Sequence, residues 1–174
     1  LPNVKFFHSL NYRIVENGLE KNPELDIIGI GASTIYIIEV KAGQLTTKHK
    51  RGALKGLKDR IKETINEGSY QCHRALRYII DNDCSVFNYI FEGKSEQLTI
   101  DKTQIKKFIK ISVTLEHYTL ISINLKELID SGLLNPDYKW TWIVSLYDLM
   151  VFSDIIESEK DFLDYLHYRL DLYD

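Results

Sequence analysis

Three acidic-x-Lys triplets occur in the chain: Glu39-Val-Lys41, Glu92-Gly-Lys94 and Asp137-Tyr-Lys139. The second and third sit in Gly- or Pro-marked turn contexts and read as surface charges. Only the first closes an apolar, strand-like run, Ile35-Tyr-Ile-Ile-Glu39-Val-Lys41. Another carboxylate, Asp26, lies in the preceding run Leu25–Ile30. Residues two apart share a face of a strand, which groups Lys41 with Glu39. If Gly31–Thr34 is a four-residue loop, Ile30 pairs with Ile35 and, counting outward, Asp26 faces Glu39. Cross-strand Cβ atoms lie ~5 Å apart, and like charges so placed destabilise a sheet. Two such carboxylates call for a compensating cation or a raised pKa. A divalent metal is the economical answer, since hard oxygen ligands suit Mg²⁺ or Mn²⁺, and the Val40 carbonyl is a further oxygen ligand. Phosphodiester hydrolysis uses such a set. Metal ions neutralise phosphoryl charge and lower the pKa of bound water, and a nearby ammonium orients that water or stabilises the developing charge. A strand-edge salt bridge between Glu24 and Lys41 in the same register is the alternative.

The elements that must hold these residues are legible as changes of period. Lys5–Leu19 reads as extended, and Leu25–Ile30 and Ile35–Val40 form a hairpin around the Gly31–Thr34 turn. From about Lys50 to Ile80 the period turns helical, with Leu54, Leu57, Ile61, Ile65, Cys72, Ala75 or Leu76, and Ile79 on one apolar stripe. Gly68-Ser69 marks a kink or a helix boundary in it. Strands are predicted at Val86–Phe91, Leu98–Ile100, Phe108–Leu115, Leu120–Ile123 and Trp140–Leu146. Helices are predicted at Leu125–Ser131, ending at Gly132, at Tyr147–Ile156, and at Phe162–Tyr173 behind a Ser158/Asp161 capping pair. The expectation is one α/β domain over residues 1–174: a mixed sheet flanked by helices, with a C-terminal strand and helix extension.

At this point a resemblance becomes specific. The run Glu24-Leu-Asp26-Ile-Ile-Gly-Ile, a turn, then Ile35-Tyr-Ile-Ile-Glu39-Val-Lys41-Ala-Gly43 resembles the core of the PD-(D/E)xK nuclease superfamily, closest to its nuclease-related and RecB-like branches. It spans residues 11–80, leaving 81–174 as remaining strands and C-terminal helices. It implies a restriction-endonuclease-like mixed sheet and metal-dependent cleavage of nucleic acid, DNA favoured over RNA. Asp26 and Glu39 would be metal ligands, Lys41 the catalytic ammonium, and Gln71 a supporting residue from the following helix. The segment Lys48-His-Lys-Arg51-Gly52 resembles the basic turn before that helix. Pro-Asp is replaced here by Glu-Leu-Asp. The N-terminal helix with a further Glu that the resemblance implies is not evident, Glu16 and Glu20 being the acids near that position. A segment preceding Leu1, which is not an initiator Met, is an expected source of that acid.

Composition fits this reading. The 174 residues are 44% hydrophobic and 27% charged, ordinary for a globular domain. Net charge is −3, but between Lys41 and Lys62 eight Lys and Arg residues face only Asp59. Such a local run is the footprint of phosphate binding, although taken alone it reads first as a solvated helix face. With the resemblance beside it, Lys48, Lys50, Arg51, Lys55 and Lys58 are expected at the backbone of a nucleic-acid partner, with Arg74 as a candidate phosphate contact and His73 as one only second to a structural or surface role. No apolar run reaches the ~18–20 residues of a membrane span, and the opening Leu-Pro-Asn-Val-Lys has no signal-peptide pattern. Two cysteines without metal spacing point to a reducing, cytoplasmic setting, with Cys72 on the apolar stripe as a core residue. No histidine has a metal-pair spacing, so all five read as structural or surface residues. The oligomeric state stays open, homo-oligomers included. A nuclease-like module that binds nucleic acid or a partner protein without cleaving is the second reading.

Overall fold

The chain builds a seven-stranded mixed sheet that is antiparallel in one half and parallel in the other. A computed structural model describes residues 1, 3–43, 58–59, 61–115, 117–118, 125–138 and 141–171. Strands β1 (Lys5–Asn11), β4 (Glu24–Ile30), β5 (Thr34–Lys41), β6 (Cys84–Phe91), β7 (Lys94–Asp101), β8 (Lys107–Thr114) and β9 (Trp142–Ser145) are ordered β7-β6-β1-β4-β5-β8-β9. The short strands β2 (Ile14–Glu16) and β3 (Leu19–Lys21) form a separate hairpin. Pairing is antiparallel from β7 to β5, whereas β5, β8 and β9 run parallel. Among the described residues four α-helices accompany the sheet: α1 (Glu67–Asp81), α2 (Leu125–Asp130), α3 (Leu146–Ile155) and α4 (Glu159–Asp171).

Strand β5 shows why the sheet is covered on both sides. Its run Thr-Ile-Tyr-Ile-Ile is β-branched or aromatic and buried on both faces, as expected of a central strand next to a parallel neighbour. Alternation sorts its side chains. Ile35 and Ile37 join Leu10, Tyr12, Leu25, Ile28 and Phe87 beneath α1, which contributes Cys72, Ala75 and Ile79. Tyr36 turns the other way, toward Trp142, Phe162 and Leu166 under α3 and α4. Each fully buried aliphatic side chain is worth about 1.5–3 kcal/mol against exposure. Glu39 and Lys41 continue the face that carries Ile35 and Ile37, so the same alternation aims both toward α1.

The helices start and stop for local reasons. In α1, Gly68, Cys72, Ala75 and Ile79 recur at helical spacing and are buried. The helix closes at Asn82, whose Nδ2 donates to the Tyr78 carbonyl at 2.7 Å. Ser145 caps α3 by accepting the Asp148 N–H at 3.0 Å, and Ser158 accepts the Asp161 N–H at 3.2 Å at the start of α4. The Tyr36 hydroxyl donates to Glu159 Oε1 at 2.9 Å, which fastens α4 to the sheet.

Several expectations shift. Gly68-Ser69 lies buried in the first turn of α1, directly after a π-helical turn over Lys62–Asn66, so the boundary there is the junction of π- and α-helix. The piece at Leu98–Ile100 is part of the full strand β7, hairpinned to β6 through Glu92 (φ 50°) and Gly93 (φ 75°). That pair of left-handed residues suits the twist of a two-residue hairpin loop. Strand β9 begins at Trp142, and α3 begins one residue before Tyr147. The predicted strand Leu120–Ile123, the helical residues 50–57 and the basic residues Lys48, Lys50, Arg51 and Lys55 lie outside the described residues. Among the described residues no helix is long and apolar enough to cross a membrane.

Candidate active site

The β4–β5 hairpin has the register that places Asp26 against Glu39. Ile30 pairs with Ile35 and Ile27 with Ile38, and the ladder stops there. At the next step Asp26 uses its side chain: Oδ2 accepts the Val40 N–H at 2.7 Å. On its other side Asp26 faces Ser9, which the β1–β4 pairing skips and which has a left-handed φ of 53°. Within a strand a residue's N–H and C=O point the same way, so the Val40 carbonyl also faces the Asp26 side.

Glu39 is 2% exposed. Burial, then the negative charge of Asp26, push its carboxyl up to about 7, while Lys41 and the Asp26 main chain pull the other way. One oxygen, Oε2, takes the Lys41 ammonium at 3.1 Å; the other, Oε1, is buried with no hydrogen-bond partner among the described residues. Lys41 Nζ also donates to Gln71 Oε1 from α1. The ammonium is thus held between a strand carboxylate and a helix amide. The Glu24–Lys41 salt bridge is not formed: Glu24 pairs across the sheet with Asn11, and Lys41 is committed to Glu39 and Gln71.

Helix α1 reaches the site because it has no side chain where it crosses β8. A Cβ on Gly68 would meet Ser112 Oγ at 2.5 Å and Lys41 Cγ at 3.5 Å. Gly68 and Gln71 are three residues apart and share a face, so this close approach sets the height of Gln71 over Lys41. In the parallel register Glu39 aligns with Ser112, and Lys41 with Thr114 and then Ser145. Ser112 Oγ is buried without a partner, like Glu39 Oε1 in the adjacent strand.

Asp26, Glu39, Val40, Lys41 and Gln71 are therefore brought together. Lys58 is exposed. Arg74 sits half-buried on another face of α1, its Nε donating to the Tyr12 hydroxyl at 3.2 Å and its guanidinium 5.2 Å from the Tyr70 ring centre. It lines a cleft of about 540 Å³ with Arg13, Glu16 and Arg77. Glu16 accepts from Tyr70 and Lys21 and belongs to that cleft. His73 stacks near Tyr138, with ring centres 5.8 Å apart. Cys72 is wholly buried against the Ile37 and Ile111 carbonyls, and burial raises its thiol to about 12, as befits an inert core residue. Gly68 and Ser112 escape sequence reading because only the β5–β8 pairing shows that they meet; the small residue at 68 is the one available signal.

The donor set suits a small divalent ion. Among the described residues no three His, Cys, Asp or Glu side chains are grouped to hold a metal. Two carboxylates, one with an unpartnered buried oxygen, and a main-chain carbonyl remain. Mg²⁺ accepts that arrangement, since it retains waters and typically takes one or two carboxylates plus substrate phosphates. No protein-family model matches the chain, and comparison with curated proteins and with solved structures finds no significant match.

Proposed function

We propose that this chain is a metal-dependent nuclease of the PD-(D/E)xK type, hydrolysing phosphodiester bonds in nucleic acid, with DNA the favoured substrate. The observation that carries the proposal is the Lys41 ammonium, fixed between Glu39 and Gln71 beside a buried carboxylate oxygen that has no partner. The resemblance at Asp26 and Glu39-Val-Lys41 and the mixed sheet flanked by helices support it. Asp26, Glu39 and the Val40 carbonyl would hold Mg²⁺ or Mn²⁺. The bound ion supplies Lewis-acid stabilisation and an acidified water. Glu39 and Gln71 each accept one ammonium proton of Lys41, which fixes the ammonium's direction, and Lys41 would offer its third proton to the attacking water or to a phosphoryl oxygen. Lys48, Lys50, Arg51, Lys55 and Lys58 would hold the sugar-phosphate backbone, which makes affinity fall steeply with salt. Both cysteines are free, consistent with a proposed cytoplasmic setting.

The test is cleavage of labelled single- and double-stranded DNA and RNA in Mg²⁺, Mn²⁺ or EDTA. Wild-type cleavage should need the metal, and Lys41→Ala should lower its rate by about 100- to 1000-fold while leaving the fold intact. A folded wild-type chain that cleaves none of the four substrates would overturn the enzyme reading. The second reading, a nuclease-like module that binds without cleaving, is favoured by the lack of a third acidic side chain at the site among the described residues. It requires nucleic-acid binding that persists in EDTA with no cleavage in any metal.

A further inference from the structure

The row of aligned residues that begins at Lys41 ends in a second polar cluster that the proposed chemistry does not use. Thr114 and Ser145 lie one and two strands from Lys41. Strands are about 4.8 Å apart, which puts the Ser145 Cα roughly 10 Å from that of Lys41, at the carboxyl ends of three parallel strands. Open sheets bind ligands at such ends. The segment leaving β8 is tied to the same edge, because the Leu115 N–H donates to the Lys41 carbonyl at 3.3 Å. Two residues later comes His117, whose Nδ1 lies 3.1 Å from Ser145 Oγ and 3.6 Å from Asp148 Oδ2. Its ring stacks on Tyr147 with centres 5.4 Å apart and planes 21° from parallel.

The hydrogen bonds determine which way the imidazole works. Ser145 has one hydroxyl proton, and it goes to Asp148 Oδ2 at 2.8 Å. Ser145 Oγ then accepts, from the Asp148 N–H at 3.0 Å and from Nδ1–H of His117. This is not a hydrolytic triad: serine and aspartate both meet the same ring nitrogen, and the serine oxygen is spent as a helix cap. The other nitrogen, Nε2, has no partner among the described residues, and the side chain is 57% exposed. A ring clamped through Nδ1 and stacked on Tyr147 presents Nε2 in a fixed direction at little further entropic cost.

We propose that His117 is a phosphate-contacting residue, taking through Nε2 a backbone phosphate of the nucleic-acid strand next to the one held at Asp26, Glu39 and Lys41. This rests on the nuclease reading and adds a subsite to it. With Nδ1–H committed to Ser145, the Nε2–H of the imidazolium form is the donor that meets the phosphate. Around the ring, α3 contributes the Asp148 carboxylate and the Tyr147 phenol.

The experiment measures binding of a fluorescent single-stranded DNA in EDTA, where cleavage does not interfere, for wild type, His117→Gln and His117→Ala at pH 6 over a salt series. Both variants should bind more weakly than wild type by roughly tenfold or more, as loss of one charge-assisted contact implies. The slope of log affinity against log salt should be smaller in magnitude by about 0.7, the contribution of one phosphate on a single strand. Wild type and variants that match in affinity and salt slope would overturn the subsite while leaving the nuclease reading intact. A wild type that binds no nucleic acid would overturn both.

Discussion

Replacing Glu39 by glutamine should make the metal-free protein more stable, and increasingly so as pH rises. The native carboxyl, buried and facing Asp26, keeps its proton up to about pH 7, whereas the ordinary value is 4.5. Between those values the native state binds more protons than the unfolded chain, so stability falls with rising pH. The contribution is fully present below pH 4.5 and lost once pH passes about 7. At about 1.4 kcal/mol per pH unit this one group accounts for about 3 kcal/mol. Glutamine has nearly the same shape and cannot ionise, so its protein lacks that loss. Other titrating groups are common to both proteins and cancel in the difference. In a chain of this length about 1 kcal/mol moves the melting temperature by 2–4 °C. The gap between Glu39→Gln and wild type should therefore widen by roughly 5–10 °C from pH 5 to pH 8.5 in EDTA, measured by differential scanning calorimetry. Adding Mg²⁺ at pH 8.5 should then raise the wild type selectively, by about 2.7 kcal/mol at a hundredfold excess over its dissociation constant. A gap that stays flat or narrows with pH would refute the account of a strained, buried carboxylate.

Other substitutions probe how the site is supported. Gly68→Ala should destabilise by about 1–3 kcal/mol through overpacking against Ser112, and Ser112→Ala in the same chain should recover part of it; denaturant melts of the single and double variants check this. Because Gly68 sets the approach of α1, Gly68→Ala should also slow cleavage by displacing Gln71 from Lys41, visible as a lower kcat in the folded fraction. A thiol reagent at pH 8 should label the exposed Cys84 promptly and leave Cys72 unlabelled until urea unfolds the chain.

The half of the site on one hairpin was legible in the sequence; the half that depends on distant strands was not. The four-residue turn fixes the register at Ile30–Ile35, and alternation then carries Asp26 opposite Glu39 and sets Lys41 beside it. Gln71 was implied by the family resemblance alone. What the hairpin does not contain is the end of its own ladder. No local pattern announces that Asp26 spends an oxygen on the Val40 N–H, or that the β1–β4 pairing skips Ser9 opposite it. Gly68 reads as a weak point in a helix until β8 lies beneath it, because a glycine that permits close approach and one that breaks a helix look the same in sequence. Strand β7 was underestimated because its residues Lys94–Gln97 are exposed and polar, hiding the alternation that strand prediction relies on. His117 read as a structural or surface residue like the other histidines, since Ser145 and Asp148 come from far along the chain.

The parallel pairing of β5 with β8 and β9 has a consequence for when the site exists. Lys41 is synthesised early, but the strand beside it and the one beyond that arrive only after α1 and the whole β6–β7 hairpin have been made. Non-local pairings of this kind form slowly and late. Until β8 docks, Gly68 has no Ser112 to lean on and α1 has no fixed seat over Lys41, so the Lys41 ammonium lacks its bearings. On the proposed nuclease reading, a nascent or partly folded chain would carry every residue of the hairpin motif while remaining unable to cut, and the proposed activity would be confined to molecules that have completed their sheet.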